Sequence, residues 1–327
     1  MLKKSISVIL PNYNGAHLLK EYLPSVFQAL HFSKIDYEII LIDDASKDQS
    51  IAFITNEYPE INIIKNDKNL GFSKTCNKGI AKAQKDLIFL LNTDVALEED
   101  YFENQFQYFQ LPTTFGVMGR IMNFDGKKIE DAARTLRLKG CKLKANKFYF
   151  VSESTEPVYT AYLSGANALI DRKKLQILNG FDEIYSPFYF EDFDLGLRAW
   201  QLGWRCIYEH QSVCYHKVSA STNTMNKSNF VKITYNRNSF ILQAIHIYAN
   251  KNIFWNIQIF INTVLNRFIQ CQFWIYKSYF GYLKMNNKIM ISQKRLRELK
   301  KNHDSKNINE IIELIDQSMS ARKINYL

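Results

Sequence analysis

Leu87-Ile88-Phe89-Leu90-Leu91-Asn92-Thr93-Asp94 is an apolar run that stops on a polar triplet carrying one carboxylate. A helix-like segment, Ser73 to Gln84, precedes it, and Glu98, Glu99 and Asp100 follow. That pattern fits a strand inside a parallel sheet, buried on both faces. In open α/β sheets, ligands gather beyond the carboxyl ends of the strands. The run therefore presents Asp94 to a candidate ligand site. A single Asp after a strand also serves as an ordinary turn or helix-start residue, so other segments have to decide its role.

Similar strand-like runs recur at Ile6 to Leu10, Glu38 to Ile42 and Ile61 to Ile64, with helix-length segments between them. Alternation of this kind predicts βαβ crossovers and a mainly parallel sheet flanked by helices. Phe115 to Ile121, a basic polar stretch around Lys127 to Lys147, and Tyr159 to Ile170 predict a mixed half built onto the first. The first strand runs into Pro11-Asn12-Tyr13-Asn14-Gly15 and the second into Asp43-Asp44-Ala45-Ser46, which places these polar groups on the same edge as Asp94. Neither a GxGxxG nor a GxxxxGK[ST] motif follows the first strand, which excludes the dinucleotide-binding and P-loop readings. What remains is a tyrosine able to stack on a base and a carboxylate pair able to accept hydrogen bonds from a base or ribose. Asn69-Leu70-Gly71-Phe72-Ser73 leads into a helix, where free backbone N–H groups favour phosphate.

Length and charge narrow the class. With 327 residues, 46% of them hydrophobic, the chain has ample material for a buried core. Five cysteines with no CxxC pair fit neither a disulfide framework nor a zinc ribbon. They favour a reducing cytoplasm, and the short apolar stretch after Met1 does not read as a signal peptide. The net charge of +10 is compatible with nucleic acid, an anionic membrane or phosphorylated substrates. Its placement favours a membrane surface over nucleic acid: seven basic residues against one acid lie between Lys284 and Lys301, after an aromatic-rich run from Ile253 to Leu283.

Beyond about Thr222 the chain becomes helical in character. No clean span of about 20 apolar residues occurs there, against a transmembrane helix. Asn262, Asn266, Gln270 and Lys277 predict one polar stripe on an amphipathic helix across Ile253 to Leu283. Such a helix packs on the rest of the chain, on a second subunit, or on a membrane surface.

Glu191-Asp192-Phe193-Asp194-Leu195 gives a second acidic signal, an acidic helix start preceded by the aromatic wall Phe188-Tyr189-Phe190, suited to a sugar ring. Downstream, Val213-Cys214-Tyr215-His216 ends another strand-like segment at a histidine.

Taken in order, Pro11-Asn12-Tyr13-Asn14, Asp43-Asp44-Ala45-Ser46, Asn69-Leu70-Gly71-Phe72, Leu91-Asn92-Thr93-Asp94, Gly165-Ala166-Asn167, Gly180-Phe181-Asp182-Glu183 and Glu191-Asp192-Phe193-Asp194-Leu195 resemble the motifs of family 2 glycosyltransferases over residues 5 to 220. The likeness is greatest to their rhamnosyltransferase-like branch. It implies a GT-A fold, with a catalytic domain at 1–221 and a C-terminal helical region at 222–327. It also implies inverting hexosyl transfer from a nucleotide-diphosphate sugar, dTDP-rhamnose or a UDP-hexose. The acceptor implied is a hydroxyl of a glycan or lipid-linked glycan in cell-surface polysaccharide synthesis, and the cofactor Mn²⁺ or Mg²⁺.

By the same resemblance, Pro11, Asn12, Tyr13, Asp43, Asp44, Gly71, Asn92 and Thr93 surround the nucleotide. Asp94 and His216 hold the metal, Asp192 is the base with Glu191 beside it, and Gly165, Ala166 and Tyr189 face the sugar or acceptor. Asn92 stands where the family's DxD motif often has its first acid, which removes one charge from the metal site. The location implied is cytoplasmic, peripheral on the inner membrane or dimeric through the C-terminal helices, with no nucleic-acid partner. A glycoside hydrolase, which needs no nucleotide, and a noncatalytic nucleotide-sugar or polysaccharide-binding module are the competing readings.

Overall fold

A computed structural model describes residues 4–139, 142–152, 156–217, 229–247, 252–320 and 322–327. Its centre is a 10-stranded sheet. In chain order the strands are β1 (Ile6–Asn12), β2 (Tyr37–Asp43), β3 (Asn62–Lys65), β4 (Leu87–Leu91), β5 (Val95–Leu97), β6 (Thr114–Asn123), β7 (Ile129–Asp131), β8 (Val158–Tyr159), β9 (Asn167–Asp171) and β10 (Arg205–His216). Spatially they run β8-β10-β6-β9-β4-β1-β2-β3, with β5 beside β10 and β7 beside β6. β1 to β4 are mutually parallel, β9 runs antiparallel to both β4 and β6, and β10 returns parallel to β6.

These directions decide where the site lies. The carboxyl ends of β1, β2, β4 and β10 share one edge, and the reversed β9 starts at that edge, with Asn167 opposite Leu91. All five residues of β4 are buried, as its unbroken apolar run requires. Ile88 and Leu90 face a core that includes Cys76 and Ile80 of α3 (Phe72–Lys82). Leu87, Phe89 and Leu91 face the other side, against Leu19, Leu23 and Val26 of α1 (Ala16–Phe32). The further helices before residue 217 are α2 (Ser50–Glu57), α4 (Arg172–Ile177) and α5 (Glu191–Gln201).

Beyond the expected boundary at 221/222, which falls outside the described residues, the chain is helical. It forms α6 (Asn229–His246), α7 (Asn252–Ile259), a π-helical turn (Phe260–Leu265) running into α8 (Asn266–Ile269), α9 (Trp274–Leu283), α10 (Asn286–Lys301) and α11 (Ile308–Met319). The single amphipathic helix expected from Ile253 to Leu283 is instead two rods. The first ends where Cys271 takes a φ of 56° and the Gln272 N–H turns back to the Arg267 carbonyl. Lys277 consequently sits on a different helix from Asn262 and Asn266. No helix among the described residues is long and apolar enough to cross a membrane.

α6 is fastened to α5 through Asp194, which is almost wholly buried. One carboxylate oxygen accepts from Tyr185 Oη (3.1 Å) and meets His246 Nε2 at 2.8 Å; the other accepts from Arg198 Nε at 2.6 Å. Arg198 donates onward to the carbonyls of Leu178 and Gly180. Burial opposes the Asp194 charge, but Arg198 and His246 outweigh it and hold the pKa below the ordinary carboxylate value. Truncating one partner of such a pair leaves the other charge buried and uncompensated. Asp194→Ala should therefore cost about 3 to 5 kcal/mol, measured as a lowered urea midpoint; a midpoint within error of the wild type would refute this account of how α6 docks.

Candidate active site

The ends of β1 and β2 are stitched together by side chains. Asn12, buried, donates from Nδ2 to Asp43 Oδ1 (2.9 Å) and Ser46 Oγ (3.1 Å), while the Ser46 and Asn14 N–H groups bond Asp43 Oδ2 and Ser46 Oγ. Pro11 lies opposite Ile42 in the last turn of the ladder. Tyr13 follows at the rim, 52% exposed, with its ring accessible for stacking.

Asp44 faces a different loop. Its carboxylate accepts from Asn66 Nδ2 (2.8 Å) and from the N–H groups of Leu70 (2.8 Å) and Gly71 (3.0 Å). The N–H groups of Leu70 and Gly71, expected to be free for phosphate, are thus engaged by Asp44. Gly71 has a φ of 83°, and a Cβ there would fall 2.9 Å from the Pro187 carbonyl oxygen. Only glycine allows this contact, which continues as the Phe72 N–H bonding the same carbonyl (3.2 Å).

Asp94 lies three residues beyond β4, and His216 closes β10. His216 Nε2 stands 3.4 Å from Asp94 Oδ2, and its Nδ1 lies 3.1 Å from Glu130 Oε2. Burial works against the imidazolium, but the two carboxylates prevail and raise the His216 pKa to about 9. Asp94 Oδ1 is buried without a hydrogen-bond partner. An orphaned carboxylate oxygen beside an imidazole suits a divalent cation, although no cluster of three or more metal-binding side chains occurs among the described residues. Asp94 and His216 could supply two ligands to such an ion, and substrate oxygens would have to supply the others. Between this corner and β9, the Asn92 N–H bonds the Ala166 carbonyl (3.2 Å), and Thr93 follows in the same half-buried turn.

Asp192 opens α5 on the far side of Gly165. Its Oδ2 accepts the Gly165 N–H (3.0 Å), whereas Oδ1 is buried without a partner, as is Glu191 Oε2. Burial raises both pKa values, and the neighbouring Asp192 charge raises Glu191 further. The Gly165 N–H and the nearby Arg134 charge pull Asp192 back toward ionisation. A Cβ on Gly165 would lie 2.8 Å from Asp192 Oδ1, so glycine is what lets β9 approach the acid. Both acids line a cavity of about 450 Å³ together with Tyr162, Tyr189, Phe190 and Tyr235.

The backbone leading to these acids is strained. Tyr189 and Phe190 take φ values of 73° and 77° in succession, conformations that L-residues avoid. Asn238 of α6 holds them there: its Nδ2 lies 2.6 Å from the Tyr185 carbonyl and 2.9 Å from those of Phe188 and Tyr189. Arg237 adds a bond to the Ser186 carbonyl at 2.6 Å.

Residues 7–178 match the model of glycosyl transferase family 2. The chain belongs to that family. Among its relatives are an uncharacterized glycosyltransferase of Haemophilus influenzae, 27% identical and aligned over 67% of this chain and 82% of that one. An N-acetylglucosaminyl-diphospho-decaprenol L-rhamnosyltransferase of Mycobacterium tuberculosis is 23% identical, over 66% and 77% of the two chains. Two solved structures share the fold. GalNAc-T7 with UDP, GalNAc and Mn²⁺ superposes with a TM-score of 0.62 at 14% identity, over 98% of this chain and 58% of that one. S. aureus TarS in complex with UDP-GlcNAc gives 0.53 at 15% identity, over 99% and 96%. The fold of this glycosyltransferase is GT-A.

The structure gathers Pro11, Asn12, Asp43 and Asp44 at one part of the edge, Asp94 with His216 at another, and Gly165 with Asp192 at a third. Tyr189 enters the cavity from the strained loop, whereas Ala166 faces Asn92 instead. Sequence reasoning missed Ser46 and Asn66 as struts, Glu130 as the partner of His216, and Asn238 as the clamp. Ser46 stood within a recognised motif; the other three carry no local signal. For the family activity, Gly165→Ala should lower turnover about tenfold or more, a barrier increase of about 1.4 kcal/mol per decade, by moving Asp192. Nucleotide binding by calorimetry should be unchanged, and a variant with wild-type turnover would refute this role for the glycine.

Proposed function

We propose that this protein is an inverting hexosyltransferase that moves a sugar from dTDP-rhamnose or a UDP-hexose to a hydroxyl of a lipid-linked glycan in cell-surface polysaccharide synthesis. The observation that carries the reading is Asp192, half-buried, with one oxygen fixed by Gly165 and the other buried without a partner beside the cavity. One positioned base is what inversion needs. The acceptor hydroxyl passes its proton to Asp192 while its oxygen bonds the anomeric carbon; the bond from that carbon to the diphosphate breaks, and the nucleoside diphosphate leaves. Glu191 orients the acceptor, and Tyr189 and Gly165 border the sugar. Pro11, Asn12, Tyr13, Asp43 and Asp44 border the base and ribose, with Gly71, Asn92 and Thr93 adjoining the phosphates.

Asp94 and His216 would hold Mn²⁺ or Mg²⁺, with Glu130 orienting the imidazole. A divalent cation bound there stabilises the charge that develops on the diphosphate as it departs. The lipid-linked acceptor is supported by the M. tuberculosis relative, whose name specifies a diphospho-decaprenol carrier. The division into a catalytic domain at 1–221 and a helical region at 222–327 belongs to the same reading, with the protein placed on the cytoplasmic face of the membrane.

Purified protein presented with a panel of nucleotide sugars and acceptors, with Mn²⁺, Mg²⁺ or chelator, tests the whole proposal; binding without nucleoside diphosphate release in any condition would overturn it. Asp192→Asn should lower transfer by about 10² to 10⁴ while donor still binds. Because burial raises the Asp192 pKa, the acid limb of the wild-type rate profile should lie above the usual carboxylate range, since the protonated acid cannot act as base. Substantial turnover by Asp192→Asn would sink the assignment. Asp94→Ala should abolish the metal-dependent part of nucleotide affinity, and calorimetry giving equal affinity with and without Asp94 would show that the ion is held elsewhere.

A further inference from the structure

The cavity beside Glu191 and Asp192 carries cations as well as acids. Lys142 and Lys144 reach it from a short strand (Lys142–Lys144), and Arg267 from α8. Lys142 Nζ bonds Thr263 Oγ1 at 3.1 Å, tying that strand to the π turn. Arg267 is steadied by uncharged groups, the Gln272 side chain (2.5 Å) and the face of Trp274 (5.4 Å to the centroid). The Lys144 side chain, on a half-buried residue, makes no hydrogen bond or ion pair among the described residues. Three positive charges around one cavity are of no service to a neutral sugar, but they match a phosphate.

The opposite face of the same rod is apolar and exposed. Ile253, Phe254, Ile257, Ile261, Phe268 and Ile269 all point outward, with Ile253 at 74%, Phe254 at 67% and Ile269 at 80% exposure. At about 100° per residue, a regular α-helix would turn Ile269 well away from Ile253. The extra residue in the π turn at Phe260–Leu265 sets the phase back by about one residue and brings Ile269 toward the face of Ile253 and Ile257. The exposed apolar residues thus run the length of the rod, while other positions bring Arg267 to the cavity and Thr263 to Lys142. Lys277 of α9, Lys284 in the turn after it and Lys288 of α10 lie exposed. Pairing two copies through this face would bring their cations together, whereas an anionic bilayer complements them.

We propose that the cavity takes a glycan carried on a lipid phosphate or diphosphate, with Lys142, Lys144 and Arg267 holding the phosphate and the apolar stripe of α7 and α8 lying in the surface of an anionic bilayer. This rests on the reading of the cavity as the acceptor site. It adds the residues that recognise the carrier and the direction from which the carrier enters.

The test is flotation of the full chain with phosphatidylcholine vesicles containing either a polyprenyl diphosphate or phosphatidylglycerol, matched in surface charge. The wild type should bind the polyprenyl diphosphate vesicles about tenfold more tightly, the preference that about 1.4 kcal/mol of direct phosphate contact would give once the surface charge is matched. Lys144→Gln with Arg267→Gln should erase that preference yet retain binding to phosphatidylglycerol. Ile257→Glu with Phe268→Glu should abolish flotation with both. Equal binding of the wild type to the two matched vesicles, or a preference that survives Lys144→Gln with Arg267→Gln, would overturn the proposal. A stable dimer in solution that does not float would overturn it too, by assigning the stripe to a second copy. Calorimetry with UDP and dTDP in the presence of Mn²⁺, on the same preparations, separates the two readings. Nucleotide binding with no vesicle preference defeats this proposal alone, and absence of nucleotide binding in the wild type defeats the transferase reading beneath it.

Discussion

Asp194 can be buried as an ion only if Arg198 and His246 come to meet it, and that requirement shapes much of the molecule. An isolated carboxylate inside a protein would cost far more than the fold can supply. Meeting the demand brings the end of α6 against α5, and it anchors Arg198 to the Leu178 and Gly180 carbonyls. Once α6 is fixed, Asn238 sits where it can bind three carbonyls of the loop before α5, and Tyr235 can close the cavity. The strained residues Tyr189 and Phe190 persist because this framework over-determines them.

A second constraint is directional. In a uniformly parallel sheet, Gly165 to Asn167 would enter their strand at the edge away from the ligands. The reversal at β9 brings that entry to the ligand edge, where Asn167 stands opposite Leu91 and the Ala166 carbonyl accepts from Asn92. Gly165 can then touch Asp192, and two segments far apart in sequence share one site. The parallel return of β10 carries His216 to the same edge, where it stands opposite Val95 of β5, next to Asp94.

Sequence was most legible where local pattern and tertiary setting agree. The Leu87–Leu91 strand was read to the residue because continuous burial demands continuous apolarity. β1 and β2 were read within two residues at each end, since their polar ends, Pro11-Asn12 and Asp43, still extend the ladder. Reading failed where the partner is remote. Nothing near Leu70 shows that Asp44 occupies its N–H, and nothing near residue 190 points to Asn238, about fifty positions on. Nor does the Asn262, Asn266, Gln270 spacing reveal the break at Cys271, because periodicity continues through a turn that only the backbone dihedral exposes.

Charge is distributed in a manner consistent with transfer between two anions. At the proposed donor corner, Asn92 in place of an acid leaves Asp94 as the one carboxylate of the Asn92-Thr93-Asp94 turn, so a divalent cation bound to it would keep net positive charge to offer a diphosphate. A second carboxylate there would hold the cation more tightly but cancel that charge. In the cavity, Glu191 and Asp192 are the acids, while Lys142, Lys144 and Arg267 come from other elements. An acceptor with a hydroxyl at one end and a phosphate at the other would satisfy both groups at once, and reversing it would set phosphate against carboxylate. Under the proposed function, electrostatic repulsion would thus set the orientation of the acceptor.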